Sequence, residues 1–156
     1  GVHTQMTNTR NAPVEVIEAV LPVKVERYGL APDSEGAGKQ RGGFGIERVF
    51  LIEADDVQAT TSTDRTLAGP WGLAGGQPAR GPQHRLVRAD GTAEPLPAKA
   101  AFTLQRGDRF IIETAGGGGW GSVTERAPER VAEDIAEGLI SPERAQSVYG
   151  FGSEAV

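Results

Sequence analysis

The stretch TAGGGGWGSVTERAP sets four consecutive glycines, Gly116, Gly117, Gly118 and Gly119, directly before Trp120. Residues without a Cβ let a backbone pass close to a ligand or another chain and present several amide NH groups together. A Walker-type phosphate loop needs a lysine and a serine or threonine directly after its last glycine, and GGGGWGS has neither the lysine nor the spacing. A dinucleotide fingerprint needs a βαβ unit, and no parallel-sheet alternation precedes this segment. Two readings stay open: a nest of amides for an anion or polarised carbonyl, and a close crossing of backbones.

The opening GVHTQMTNTRNAPVE holds His3, Thr4, Gln5, Thr7, Asn8, Thr9, Arg10 and Asn11, all able to donate or accept hydrogen bonds. Of these His3, Thr7, Asn8, Thr9, Arg10 and Asn11 are candidates to line a substrate cavity or a subunit seam together with Gly116–Gly119 and Trp120. A solvated N-terminal arm is the competing reading. His3 and His84 are the chain's two histidines, and nothing places a carboxylate at ligand spacing beside either, so no metal site is expected. Ser62, His84 and Asp64 can be drawn as nucleophile, base and orienting acid, but many other trios would serve as well, and no catalytic residue is assigned. The RGD at Arg106–Asp108 reads as a hairpin turn rather than an integrin ligand.

The elements that must carry these groups are short and turn-rich. Val14 to Val25, VEVIEAVLPVKV, mixes period-two alternation with β-branched residues around Pro22 and is expected to be strand, bend, strand near an edge, not a helix. YGLAPDSEGAGKQRGGFG is a turn cluster leading to a buried strand, Ile46 to Ala54, and the threonine-rich Val57 to Arg65 is a third strand with one wet face. Ala68 to Pro82 is a long loop, since its prolines remove donors and its glycines remove side-chain constraint. A hairpin with a two-residue primed turn is expected around Asp90-Gly91, then a strand pair, Ala101 to Leu104 and Arg109 to Glu113, around the RGD turn. Only the C-terminus reads as helical: Pro128 opens a helix with Val131, Ile135 and Leu139 at four-residue spacing, ended near Gly138, and Ser141 caps a second that stops at Gly150. The expected fold class is α+β, a mainly antiparallel β domain with long Gly/Pro-rich loops and a short C-terminal helix pair.

The whole chain sets limits on function. Its 156 residues suffice for one domain with a real core. No apolar run approaches the roughly 20 residues of a membrane span. Net charge −5 lacks the surplus needed to neutralise a phosphate backbone, so neither a membrane nor a nucleic acid is an expected partner. No cysteine is present, which fits a reducing compartment, and a cytoplasmic location is expected. The first residue is not methionine and no signal-like segment follows, which is expected of a fragment, a processed product or a tag remnant.

Several stretches together resemble one family, the B subunits of hydantoinases and 5-oxoprolinases: GVHTQMTNTRNAPVEVIE, RYGLAPDSEGAGKQRGGFGIER, DRTLAGPWGLAGGQPA, LQRGDRFIIETAGGGGWGS and ERAPERVAEDIAEGLISPERAQSVYG, in the family's order. The resemblance covers nearly the whole of residues 1–156, as a single domain similar to the C-terminal portion of a B subunit. It implies a small subunit or C-terminal portion of an ATP-dependent cyclic-amide hydrolase complex. The implied partners are an N-terminal B-type portion, an actin-like ATP-binding A subunit and a small-molecule substrate. It implies further that this chain binds no cofactor, ATP and a divalent metal belonging to the partner portions, because the family's metal site of His and Asp residues lies in the N-terminal portion. A subunit of an ATP-dependent ketone carboxylase and a non-catalytic assembly module are the alternatives. Under this reading Gly117→Val and Gly118→Val are expected to disturb assembly or turnover while leaving the isolated chain soluble.

Overall fold

Apolar residues on GIERVFLI and RFIIE place two strands at the middle of an antiparallel sheet, where both faces are partly covered. The computed structural model describes residues 12–64 and 66–152. Helix α1 (Val14–Val20) leads into strands β1 (Val23–Ala31), β2 (Gly45–Ile52), β3 (Val57–Ser62), β4 (Gln83–Val87), β5 (Ala93–Pro95), β6 (Lys99–Leu104) and β7 (Arg109–Glu113). A 3-10 turn (Val123–Glu125) then precedes helices α2 (Pro128–Ala136) and α3 (Pro142–Tyr149). The larger sheet runs β1-β2-β7-β4-β5 and the smaller pairs β3 with β6; every pairing is antiparallel. The architecture is the expected α+β, mainly antiparallel one.

Two cores result. Val23, Ile52, Leu86 and Leu104 are buried between the sheets, with Phe102 of β6 edge-on to Phe110 of β7 at 5.4 Å between centroids, an aromatic contact that ties one sheet to the other. Phe44, Val131, Ile140 and Ala145 form the second core beneath the C-terminal helices. Both helices follow the expected signals. The Ser141 hydroxyl accepts from the Arg144 amide at 3.1 Å, and Gly138 (φ 68) and Gly150 (φ 67) take the left-handed conformation that ends a helix.

Four expectations need correction. VEVIEAV is helical, not a strand: Pro13 at its N-cap and Glu15 in the first turn suit a helix start, Val14, Ile17 and Leu21 recur at helical spacing, and Ile17 packs on the first core. β1 runs on through Tyr28 to Ala31, residues expected in a turn cluster, because they pair in register with Gly45–Arg48. The β4–β5 connection is not closed by a two-residue turn: three residues, Ala89, Asp90 and Gly91, lie between the bonded Arg88 and Thr92. Arg88 donates its amide to Thr92 O at 2.8 Å, Gly91 donates to Arg88 O at 2.9 Å, and only Gly91 (φ 90) is left-handed. Finally, β6 and β7 are joined by the expected turn but do not pair; each finds its partner in a different sheet. The Asp108 carboxylate of that turn is buried and accepts from the Ala89 and Gln105 amides and from Arg88, so it is internal turn chemistry and not a surface ligand.

Candidate functional site

The tetraglycine runs between two other glycine-bearing segments, 34–43 and 70–80. Gly116 donates to Arg80 O at 3.2 Å, Gly117 to Gly43 O at 2.8 Å and Gly119 to Gln77 O at 3.0 Å. In return Gly117 O accepts from Gly36 at 2.8 Å and Gly119 O from Leu73 at 2.9 Å. A Cβ at Gly116 would lie 2.0 Å from Ser34 O, one at Gly118 1.8 Å from Trp71 O, and one at Gly119 2.0 Å from Ala37 O. None of the four glycines has a positive φ, so glycine stands here for space and not for conformation. The crossing reading therefore holds. Amides of Gly116, Gly117 and Gly119 are bonded to backbone carbonyls and offer no nest to an anion. The expectation for Gly118→Val changes with it: the side chain would meet backbone, so the fold itself would suffer and not only assembly.

Trp120 continues the crossing as a short ribbon, bridged antiparallel to Gln40 and parallel to Leu73. Bridged residues present their side chains on the same side, and Trp71 stands two positions before Leu73, the offset that returns an extended chain to that side. Trp71, Leu73 and Trp120 are 68%, 61% and 52% exposed.

Beside the crossing lies a cleft of about 470 Å³. Thr114 and Ala115, which lead from β7 into the tetraglycine, form one wall, Thr60–Asp64 of the small sheet another, and Pro70, Pro82 and His84 the rest with Phe110 and Ile112. His84 Nε2 is 2.6 Å from Thr63 Oγ1, and its buried Nδ1 has no hydrogen-bond partner among the described residues. Ser62 and Asp64 line the same cleft, but the hydroxyl on His84 is that of Thr63, while the Asp64 carboxylate is exposed and sits 3.7 Å from Lys99 Nζ. Among the described residues no acid meets the second nitrogen of His84, so the Ser62, His84 and Asp64 trio is not assembled as a nucleophilic triad there. Among the described residues no group of three His, Cys, Asp or Glu is placed to hold a metal ion.

Sequence reasoning missed the buried acids that fix this region. Glu35, 0% exposed, takes Arg144 Nε at 2.7 Å and the Tyr149 hydroxyl at 3.1 Å on one oxygen. Asp134 is held by Arg41 at 3.0 Å and by Arg126 at 2.5 Å, and Glu113 by Arg80 at 2.5 Å and Arg85 at 2.6 Å. Glu35 and Asp134 thus pin α3 and α2 to the 34–43 segment. Apart from Arg126, eight residues before Asp134, the arginines lie far along the chain from these acids and gave no local signal.

Burial, with the Glu35 carboxylate second, pushes the Tyr149 phenol well above its ordinary value of 10.0. A raised folded-state value gives stability that is complete below pH 10 and is lost as pH climbs toward the folded value, since the unfolded phenol ionises first. The chain is expected to lose stability above about pH 10 with a slope of up to one proton, and Tyr149→Phe to lack that component in denaturant melts taken from pH 8 to 12.

Of the candidate lining residues, Gly116–Gly119 and Trp120 come together with segments 34–43 and 70–80; His3, Thr7, Asn8, Thr9, Arg10 and Asn11 lie outside the described residues.

The family model described as hydantoinase B/oxoprolinase matches residues 1–123. The chain is 41% identical to an uncharacterized protein of Methanocaldococcus jannaschii over 89% of this chain and 24% of the relative. It is 36% identical to the putative B subunit of a D-/L-hydantoinase from a Pseudomonas species, over 96% of this chain and 26% of the relative. A solved structure, the ATP-dependent caprolactamase of Pseudomonas jessenii, superposes with a TM-score of 0.76 and 29% identity, covering 92% of this chain and 26% of that one. The chain spans about a quarter of the length of these two curated relatives and about a tenth of that of other matching relatives, 5-oxoprolinases among them.

Proposed function

Because this chain belongs to the hydantoinase B/oxoprolinase family, we propose that it serves as the C-terminal portion, or a separate small subunit, of an ATP-dependent cyclic-amide hydrolase. One observation carries the reading: the fold is shared over 92% of the chain with a protein named as an ATP-dependent caprolactamase. A lactam and a hydantoin both hold an amide carbonyl inside a ring. Amide resonance makes that carbonyl a poor electrophile, and coupling to ATP supplies the driving force to open it.

GGGGWGS lacks the lysine of a Walker-type loop, and the amides of Gly116, Gly117 and Gly119 are bonded to the chain's own backbone. The nucleotide is assigned to an actin-like A-type partner and the divalent metal to the N-terminal B-type portion, as the family resemblance implies. The part left to this chain is to shape and hold. The crossing fixes three loops at the seam, and the Thr63–His84 cleft beside it offers hydrogen bonds to a polar group of the substrate or of the partner.

The test is turnover with the A-type and B-type partners present. ADP release that depends on a hydantoin or a lactam and matches ring-opened product supports the proposal. Release that depends on a ketone and bicarbonate overturns it, as does ring opening by this chain unaided.

A further inference from the structure

We infer that the ribbon face formed by Trp71, Leu73 and Trp120 is the surface on which the remaining B-type polypeptide docks, an assignment that rests on the functional reading above. Two indoles and a leucine stand mostly in the open, whereas the backbone beneath them is among the most constrained in the molecule. Trp120 is bridged on both sides, to Gln40 and Leu73, and the carbonyl of Trp71 lies where a Cβ on Gly118 would sit. Large rigid side chains on a fixed backbone lose little freedom on binding, and tryptophan is enriched among the residues that dominate interface energies. A contiguous exposed apolar face of this kind marks a contact surface.

The occupant follows from length. The same fold makes up 26% of the caprolactamase chain, and this chain covers 26% of the Pseudomonas relative, so in such proteins about three-quarters of the polypeptide lies outside this unit and is available to cover an apolar face of it. A second copy of this chain is the weaker occupant, since it would bring together two bodies of net charge −5. The other exposed apolar residues near a helix, Val16, Val20 and Leu21, sit at α1, a seven-residue helix with no buried residue, and serve as the control.

The chain holds two tryptophans, and both lie in this face. Labelling the chain with 5-fluorotryptophan therefore gives two fluorine resonances that report it alone, assigned by Trp71→Phe. Titration with the B-type polypeptide that supplies the rest of the relatives' length is expected to shift both resonances and remove their sensitivity to exchange of water for deuterium oxide. Trp71→Ser/Leu73→Ser is expected to weaken association about tenfold or more while keeping the circular-dichroism melt, and Val16→Ser/Val20→Ser to leave association unchanged. Unmoved resonances overturn the inference, as does a patch variant that binds like the parent. So does protection of the indoles that rises with the concentration of this chain alone, which would make a second copy the occupant. Binding that shifts both resonances without amide-dependent ATP consumption sinks the functional reading and leaves the docking surface standing.

Discussion

Gly118→Ala is expected to remove a large part of the chain's stability, although it adds a single methyl group. The new Cβ would lie 1.8 Å from Trp71 O, 2.5 Å from Trp71 C and 3.0 Å from Gly72 N. All three are backbone atoms, so no rotamer change relieves the overlap. Moving residues 71 and 72 away would break the bond from the Leu73 amide to Gly119 O at 2.9 Å. Moving the tetraglycine the other way would drive Gly119 toward Ala37 O and break the bond from the Gly117 amide to Gly43 O. The cost is expected to exceed about 4 kcal/mol, in the range reserved for severe overpacking and strain, against a total stability of about 5–15 kcal/mol for a domain. Gly43→Ala is the matched control. It has no neighbour within 4 Å and no positive φ, so its stability should stay level or rise by up to about 1 kcal/mol through a less flexible unfolded chain. Urea unfolding followed by circular dichroism separates the two. A Gly118→Ala chain that melts cooperatively near the Gly43→Ala midpoint would show that the crossing is much looser than its contacts imply.

The second large effect is electrostatic. Arg144→Met removes the cation from Glu35, whose side chain is fully buried and whose second oxygen has no partner among the described residues. What remains is a carboxylate held by one phenol, and breaking a buried pair from one side costs about 3–5 kcal/mol because the surviving charge stays out of water. The same substitution loses the bond from Arg144 Nη2 to Glu35 O at 2.8 Å. Adding Glu35→Gln removes the stranded charge, so the double variant is expected to recover at least half of the loss. A recovery of nothing would mean that the arginine acts through packing alone. The comparison is Arg130→Met, whose partner Glu133 and own side chain are both largely exposed, and which should change stability by no more than about 0.5 kcal/mol in the same melts.

Local signals were readable wherever they were strong and self-contained. Ser141, Pro142 and Gly150 spell a capped helix in the sequence itself, and Ile46 to Ile52 is apolar enough to be a central strand in any register. VEVIEAV misled because seven residues can satisfy a period of two and a period of 3.6 together, and the docking of Ile17 on the first core decided between them. The turn between β6 and β7 was readable from Gly107, but which sheet each strand joins depends on partners at β2, β3 and β4 far along the chain. The tetraglycine announced a close approach without saying to what. Its counterparts, Gly36, Gly38 and Gly42 in one segment and Gly72 and Gly76 in another, were visible as glycines only, and their mutual fit is a property of the folded chain. Acids such as Glu35 and Asp134 sit among polar neighbours and read as solvated residues, since nothing local names the arginine that will cover them.

The crossing also has a mechanical meaning. Three stretches drawn from a quarter, a half and three-quarters of the way along the chain meet backbone to backbone with no side chain to act as a cushion, so none of them has room to shift without disturbing the others. Gly36, bonded to Gly117, is the next residue after Glu35, which holds Arg144 of α3. A substitution that displaces the backbone of Trp71 or Trp120 is therefore expected to loosen α3 as well, since the Gly36 amide and the neighbouring Glu35 carboxylate link the crossing to Arg144 through two consecutive residues.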